Sequence, residues 1–291
     1  IFTFPLQKKN TKNLKKNKKK ISKIKTKKNV INIKYKNVQI GDSIYDEYLR
    51  SFNKSTIDIK EISFKNFLLS AFEFIDYWDN YFQQNKKNIK AIVVSHSVYF
   101  MGLVSRIGLA YNIPCYVVGW TQVNRISKKN FSRYPNPNTY PKIFKTFDKK
   151  KQKKYLKQAE NNLRLRLSGK KDVLRNISRP IDPVYSNDKT SDKFITDHSK
   201  LNVLIASHCF NDAPHFYGSM IFTDFYEWID YLGKKSKEKK YNFYLKLHPA
   251  HYEHNKKTVT FFLKKYPDLK FVPKTIGHKQ LIEQGINIAL T

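Results

Sequence analysis

Apolar positions in this chain recur at two spacings that alternate along the sequence. Residues 89–95, with the unbroken run Ala91-Ile92-Val93-Val94, predict a buried strand of the parallel type. A helix over 98–111, closed by Asn112-Ile113-Pro114, and a strand over 113–119 complete a βαβ unit. Upstream, residues 29–40 alternate apolar and polar and predict a strand broken at Gly41-Asp42. Residues 62–82 predict an aromatic-rich helix, and 147–167 a lysine-rich one. A second series opens with a strand at 201–206, followed by a helix over 219–232 ending at Gly233. It continues with a strand at 241–247, a helix at 255–266, a strand at 269–272, a helix at 278–284 and a strand at 286–290. No internal repeat is visible.

Between the two series, residues 179–200 lose periodicity and gather Pro, Asp and Ser, the composition of a domain boundary. The pattern therefore predicts an α/β protein in four parts. Residues 1–38 form a lysine-rich arm leading into the first strand, and 39–180 a first domain. Residues 181–200 form a linker and 201–291 a second domain. The stretch after Gly119, with its Tyr-Pro and Asn-Pro steps, predicts an irregular surface excursion. The chain starts at Ile1 and stops at Thr291 directly after a strand, so the second domain is expected to be incomplete.

Composition narrows the class. The 291 residues suffice for two cores, and 40% hydrophobic content is that of a globular protein. No window approaches the roughly 18–20 apolar residues of a membrane span. Two cysteines, Cys115 and Cys209, form no disulfide framework and suit a reducing cytoplasm. The net charge of +33 invites a nucleic-acid reading, but only eight of the 56 basic residues are arginine, the residue that bidentate base readout favours. The lysines are spread among asparagine and isoleucine, as a compositional bias would spread them. Residues 8–28 read as a solvated or disordered arm rather than a specific nucleic-acid tail, with a membrane-surface role intermediate between the two.

Candidate chemistry collects at predicted strand ends, where open α/β sheets bind ligands. The strand at 241–247 delivers His248, and Pro249 ends the ladder and holds His248 extended. If that strand neighbours 201–206, their ends lie roughly 5 Å apart, and His208, Asp212, His215 and His248 face one crevice. Lys246 points either at that crevice or to the opposite face. In the first domain, the acidic and aromatic residues around Asp46 come just past a predicted strand and suit an acceptor pocket, although carboxylates at helix starts also arise for dipole reasons, and His96 directly follows the strand at 89–95. The spacing of His248, His251 and His254 fixes no metal geometry, and no metal site is expected. A hydrolase G-x-S-x-G elbow and an arginine- or asparagine-bearing recognition helix are both missing.

The segments ASHCFNDAPHFYG, FTDFYEWIDYL and YLKLHP resemble the C-terminal domain of bacterial surface-polysaccharide glycosyltransferases of GT-B architecture, the capsule and lipopolysaccharide group. IGDSIYDEYLR and VVSHSVYFMGLVSRIGLAYNIP resemble their N-terminal domain, so the likeness spans roughly residues 38–291. It implies two Rossmann-like domains, the C-terminal one lacking the donor-site segment that comes after its last strand here. It also implies a nucleotide-sugar donor, of cytidine type by the His-Pro pair, and a polysaccharide or lipid-linked acceptor. His248-Pro249 would then hold the donor phosphate, with His208, Asp212, His215 and Lys246 around it. Asp46 or His96 would serve as base. The resemblance implies no cofactor and no specific nucleic acid. It places the protein in the cytoplasm, with weak contact to an anionic membrane surface as a further expectation. The alternative is a non-catalytic polysaccharide-biosynthesis or export binding protein of the same fold.

Overall fold

The computed structural model describes residues 11–119, 122–131, 139–168, 193–216, 218, 220–248 and 252–291. It is a mixed α/β protein whose contacts divide it into two units. The first comprises Ile1–Pro137 together with Phe210–Asp224; the second comprises Asn138–Cys209 and Phe225–Thr291. Residues 181–192 of the expected linker lie outside the described residues.

The described part of the first unit begins at residue 11 with two helices where a solvated or disordered arm and a strand were expected. Helix α1 (Thr11–Ser22) is lysine-rich yet ordered. Asn17 is buried and donates to Asp76 Oδ2 at 2.9 Å, Ile21 joins the core, and Lys20 lies over the Phe72 ring. The lysine stems and a few apolar residues are enough to dock the segment while the ammonium groups stay in water. Helix α2 (Lys27–Ile31) starts at a capping box, Thr26 accepting from the Asn29 backbone and Asn29 from that of Thr26.

The alternation over 29–40 thus belongs partly to a helix turn and partly to a tight hairpin. Its strands are β1 (Lys34–Tyr35) and β2 (Val38–Gln39). Lys36 and Asn37 both have positive φ, the conformation a two-residue hairpin loop requires. Next come α3 (Gly41–Ser51), α4 (Ile62–Asn85), β3 (Ile92–Val94), α5 (Tyr99–Ala110), β4 (Cys115–Val118) and β5 (Val123–Ile126). The core is largely helical: Ile44, Tyr45, Tyr48 and Leu49 of α3 meet Phe64, Leu68 and Ile75 of α4 and Leu103 and Ile107 of α5. Strands β3 and β4 pair in parallel, as the βαβ pattern predicts. After Gly119 a strand, β5, returns antiparallel to β4 where only an excursion was expected, and residues 132–138, which carry Tyr134-Pro135-Asn136-Pro137 of that expectation, lie outside the described residues.

In the second unit, α6 (Tyr140–Thr146) and α7 (Lys149–Leu167) precede a regular βα series. The series runs β6 (Leu201–Ala206), α8 (Phe225–Ser236), β7 (Tyr241–Lys246), α9 (Tyr252–Lys265), β8 (Leu269–Phe271), α10 (His278–Glu283) and β9 (Ile288–Leu290). All four strands are parallel in the order β8-β7-β6-β9. Both faces of the central strands are buried, with Val203, Ile205, Phe243 and Leu245 alternating with Leu204 and Tyr244.

The helix expected over 219–232 starts later, at Phe225, because the preceding residues are committed to the first unit. It also runs through Gly233 instead of ending there. A Cβ at Gly233 would lie 2.2 Å from the Tyr266 ring, so glycine serves close packing rather than a cap. At the amino-terminal edge, the buried Asn242 donates to Asn202 Oδ1 at 3.0 Å and Asn202 donates to the Gly285 carbonyl at 3.2 Å. These bonds tie the amino-terminal ends of β6 and β7 to each other and to the turn before β9.

Candidate functional site

The carboxyl edge of the second unit's sheet is built by the residues just past β6 and β7. Strand β6 ends at Ala206, and Ser207 then donates its backbone N–H to the Lys246 carbonyl at 2.9 Å. This keeps the ends of β6 and β7 in register one residue beyond the ladder. His208 and His248 come next, their ring centroids 5.6 Å apart and tilted by 35°. His208 stacks on Phe225 at 5.3 Å, and Cys209 Sγ lies 3.9 Å from His248 Nδ1. Both imidazoles are half-buried and Cys209 is buried. The strand order reverses direction between β6 and β9, which makes the end of β6 the switch point where open sheets collect ligands. Two imidazoles with an apolar backing form an anion-binding pair when either is protonated.

Lys246 occupies the other face. It is buried, and its ammonium donates to the Ile276 carbonyl at 2.5 Å and the Pro273 carbonyl at 3.4 Å. Burial alone pushes its pKa down to about 8. Of the two orientations open to it, Lys246 takes the one that ties the loop after β8. Pro249 lies outside the described residues.

Asp212 and His215, expected beside His208, are held in the first unit. The chain passes into that unit at Phe210 and returns at Phe225, and the strap between is fastened at several points. Asp212 Oδ1 accepts from the Tyr99 hydroxyl at 2.6 Å and lies 3.9 Å from Arg50. Burial raises the Tyr99 phenol, as does its carboxylate partner. Tyr99 itself has a φ of 58°, an uncommon conformation for a bulky residue, at the first position of α5. Asn211 donates to Asn53 Oδ1 at 2.7 Å. Asp224 is fully buried and accepts at 2.5 Å from both Tyr45 and Thr56, with the Lys27 ammonium at 3.4 Å.

The centre of the strap is His215. Its Nδ1 lies 2.5 Å from Asp46 Oδ1, and its backbone N–H donates to Asp46 Oδ2 at 3.3 Å. Its Nε2 donates to the Thr223 carbonyl at 2.9 Å, and the Tyr45 ring meets its edge at 4.9 Å. A carbonyl only accepts, so Nε2 carries a proton; with an ionised Asp46, Nδ1 carries one too. Burial pushes the imidazole pKa down, but the hydrogen bond to Asp46, its charge and the Thr223 carbonyl outweigh that and leave it raised. Burial also raises the Asp46 carboxyl, against the hydrogen bond and charge of His215. Both directions keep the shared proton on the pair.

These contacts revise the expected roles. Both oxygens of Asp46 are engaged by His215 and the group is buried. The other carboxylates of α3 are likewise committed. Asp42 accepts from Arg106 at 2.5 Å, and Glu47 accepts the Phe100 backbone N–H at 2.9 Å and so caps α5. His215 has no ring nitrogen left for a phosphate. His96, by contrast, is exposed after β3, with its Nδ1 3.0 Å from Ser95 Oγ.

The strap was invisible in the sequence. Asp224 lies where helical periodicity was expected, and nothing local pairs it with Tyr45, Thr56 and Lys27. Among the described residues no group of three His, Cys, Asp or Glu side chains is placed to hold a metal, and no helix is long and apolar enough to cross a membrane. Compared with protein-family models, with curated proteins and with solved structures, the chain finds no match.

Proposed function

We propose that the chain is a glycosyltransferase of GT-B type, built from Rossmann-like units, that transfers a sugar from a nucleotide donor to a surface polysaccharide or lipid-linked acceptor. The observation that carries this is the His208–His248 pair at the carboxyl ends of adjacent parallel strands, 5.6 Å between ring centroids. In the transfer, the acceptor oxygen bonds to the anomeric carbon as the bond from that carbon to the donor phosphate breaks. The phosphate leaves carrying the bonding electrons, and the two imidazoles stabilise its growing charge. The hydroxyl proton goes to a base, for which Asp46 and His96 are the candidates. On this reading the protein works in the cytoplasm, against the inner face of the membrane where acceptors grow.

Calorimetric titration with cytidine, uridine and guanosine nucleotides tests the donor site. A hydrogen bond to a charged group contributes about 1.5–3 kcal/mol, so His248→Ala or His208→Ala should weaken binding by roughly tenfold to somewhat over a hundredfold. His96→Ala should leave nucleotide affinity intact and lower turnover. No binding of any nucleotide, or unchanged affinity in both histidine variants, overturns the donor site. The engagement of Asp46 favours a second reading, a non-catalytic binding protein of the same fold. That reading predicts nucleotide binding sensitive to His248 without turnover of any nucleotide sugar.

A further inference from the structure

Helices α6 and α7 form an amphipathic surface that no part of the donor site uses. Between Tyr140 and Leu167 stand ten basic residues against Asp148 and Glu160. The two helices meet at a fixed corner. Phe147 packs on Phe144 and Tyr155, Gln152 donates to the Phe147 carbonyl at 2.7 Å, and Asp148 accepts the Lys151 backbone N–H at 2.8 Å. From Lys153 to Leu165 every side chain of α7 is exposed. Among them Tyr155, Ala159 and Leu163 recur at four-residue intervals and share a face with Leu156. Tyr155 is 43% exposed, Leu156 53% and Leu163 56%, and Ile143 of α6 is 49% exposed. Lys150, Lys153, Lys154, Lys157 and Arg164 occupy the opposite face. A helix with bare apolar side chains gains little from packing within its own unit and gains stability when a cover is supplied.

Charge selects the cover. A second copy of the helix would bring like-charged faces together. Nucleic acid would complement the lysines but leave the leucine stripe in water. The surface of a bilayer containing anionic lipid satisfies both faces: the apolar stripe enters the headgroup boundary while the lysines meet lipid phosphates. We propose that Tyr140–Leu167 is a membrane-surface element that lies flat on anionic bilayers. This goes beyond the donor-site reading and does not depend on it. It also moves membrane contact away from the lysine-rich arm, whose described part is docked on the first unit through Asn17 and Ile21.

The test is co-sedimentation of the full chain with vesicles of phosphatidylcholine alone or mixed with phosphatidylglycerol, at low and high salt. Binding is expected only to the mixed vesicles. Two variants, Leu156→Asp/Leu163→Asp and Lys150→Gln/Lys153→Gln/Lys154→Gln/Lys157→Gln, should each weaken it at least tenfold. Circular dichroism should show both variants folded, since the substituted side chains are exposed. A third variant, Lys15→Gln/Lys16→Gln/Lys18→Gln/Lys19→Gln, should bind as the unaltered chain does. The proposal is overturned if the unaltered chain ignores anionic vesicles. It is also overturned if the arm variant alone loses binding, or if the leucine variant binds normally. Duplex DNA bound more tightly than the vesicles through the same lysines would assign the surface to nucleic acid instead.

Discussion

Removing the imidazole of His215 should loosen the strap 210–224 and make the loss depend on pH. The side chain supplies the 2.5 Å contact to Asp46 and the 2.9 Å bond to the Thr223 carbonyl. In His215→Ala the Asp46 carboxyl, 3% exposed, keeps only the 3.3 Å backbone donor. Stranding one member of a buried ion pair costs about 3–5 kcal/mol, roughly 6–20 °C in the melting temperature of a unit this size. The raised imidazole sets the sign with pH. The pair's contribution is fully present below the ordinary histidine value of 6.5 and is lost as pH rises through the higher value of the folded state. The raised Asp46 carboxyl acts in the same direction at lower pH, and the nearby Asp42, held by Arg106, reinforces both.

Asp46→Asn should therefore be less stable than the unaltered chain at pH 6, by an amount that shrinks toward pH 9. Hydrogen exchange of the peptide covering 210–224, corrected for intrinsic rates, reads this locally. Equal protection of that peptide in His215→Ala and the unaltered chain would refute the reasoning. So would a stability difference for Asp46→Asn that does not change across the neutral to alkaline range.

The geometry sets two further outcomes. The Lys246 pKa, pushed down to about 8 by burial from 10.5, means that stability of the second unit gains a rising contribution as pH climbs through that interval. Lys246→Met should abolish that rise, measured as the change with pH in exchange protection of the β7 peptide, and an unchanged rise would assign it to another group. A Cβ at Gly41 would sit 1.9 Å from the Val30 carbonyl oxygen and 2.5 Å from that of Ile31. Gly41→Ala should then force α2 away from α3 and lower the urea midpoint by an amount equivalent to about 2–3 kcal/mol, and a midpoint within error of the unaltered chain would show that the helices part freely.

The sequence by itself determined the elements whose own residues carry the signal. The runs at 201–206 and 241–247 form the buried parallel strands their apolar residues predict, whereas 89–95 contributes only Ile92–Val94, with Val93 61% exposed rather than buried, and the intervening periods of 3.6 are helices. It placed His208 beside His248 only on the condition that the two strands be neighbours, a condition that the parallel pairing of β6 and β7 meets. It misjudged 29–40, where a helix turn and a positive-φ hairpin at Lys36-Asn37 imitate alternation over too few residues to be told apart. The arm was misjudged because lysine counts as solvated in any composition, while its methylene stem can cover an aromatic ring such as Phe72. Only the tertiary structure decided what Asp46, His215, Asp212 and Asp224 do. Asp46 and His215 are 169 positions apart, and neither residue's neighbours name the other. A buried charge must be offset by whatever donor the packed chain brings within reach, and that partner is chosen by the fold of both segments, not by the period of either.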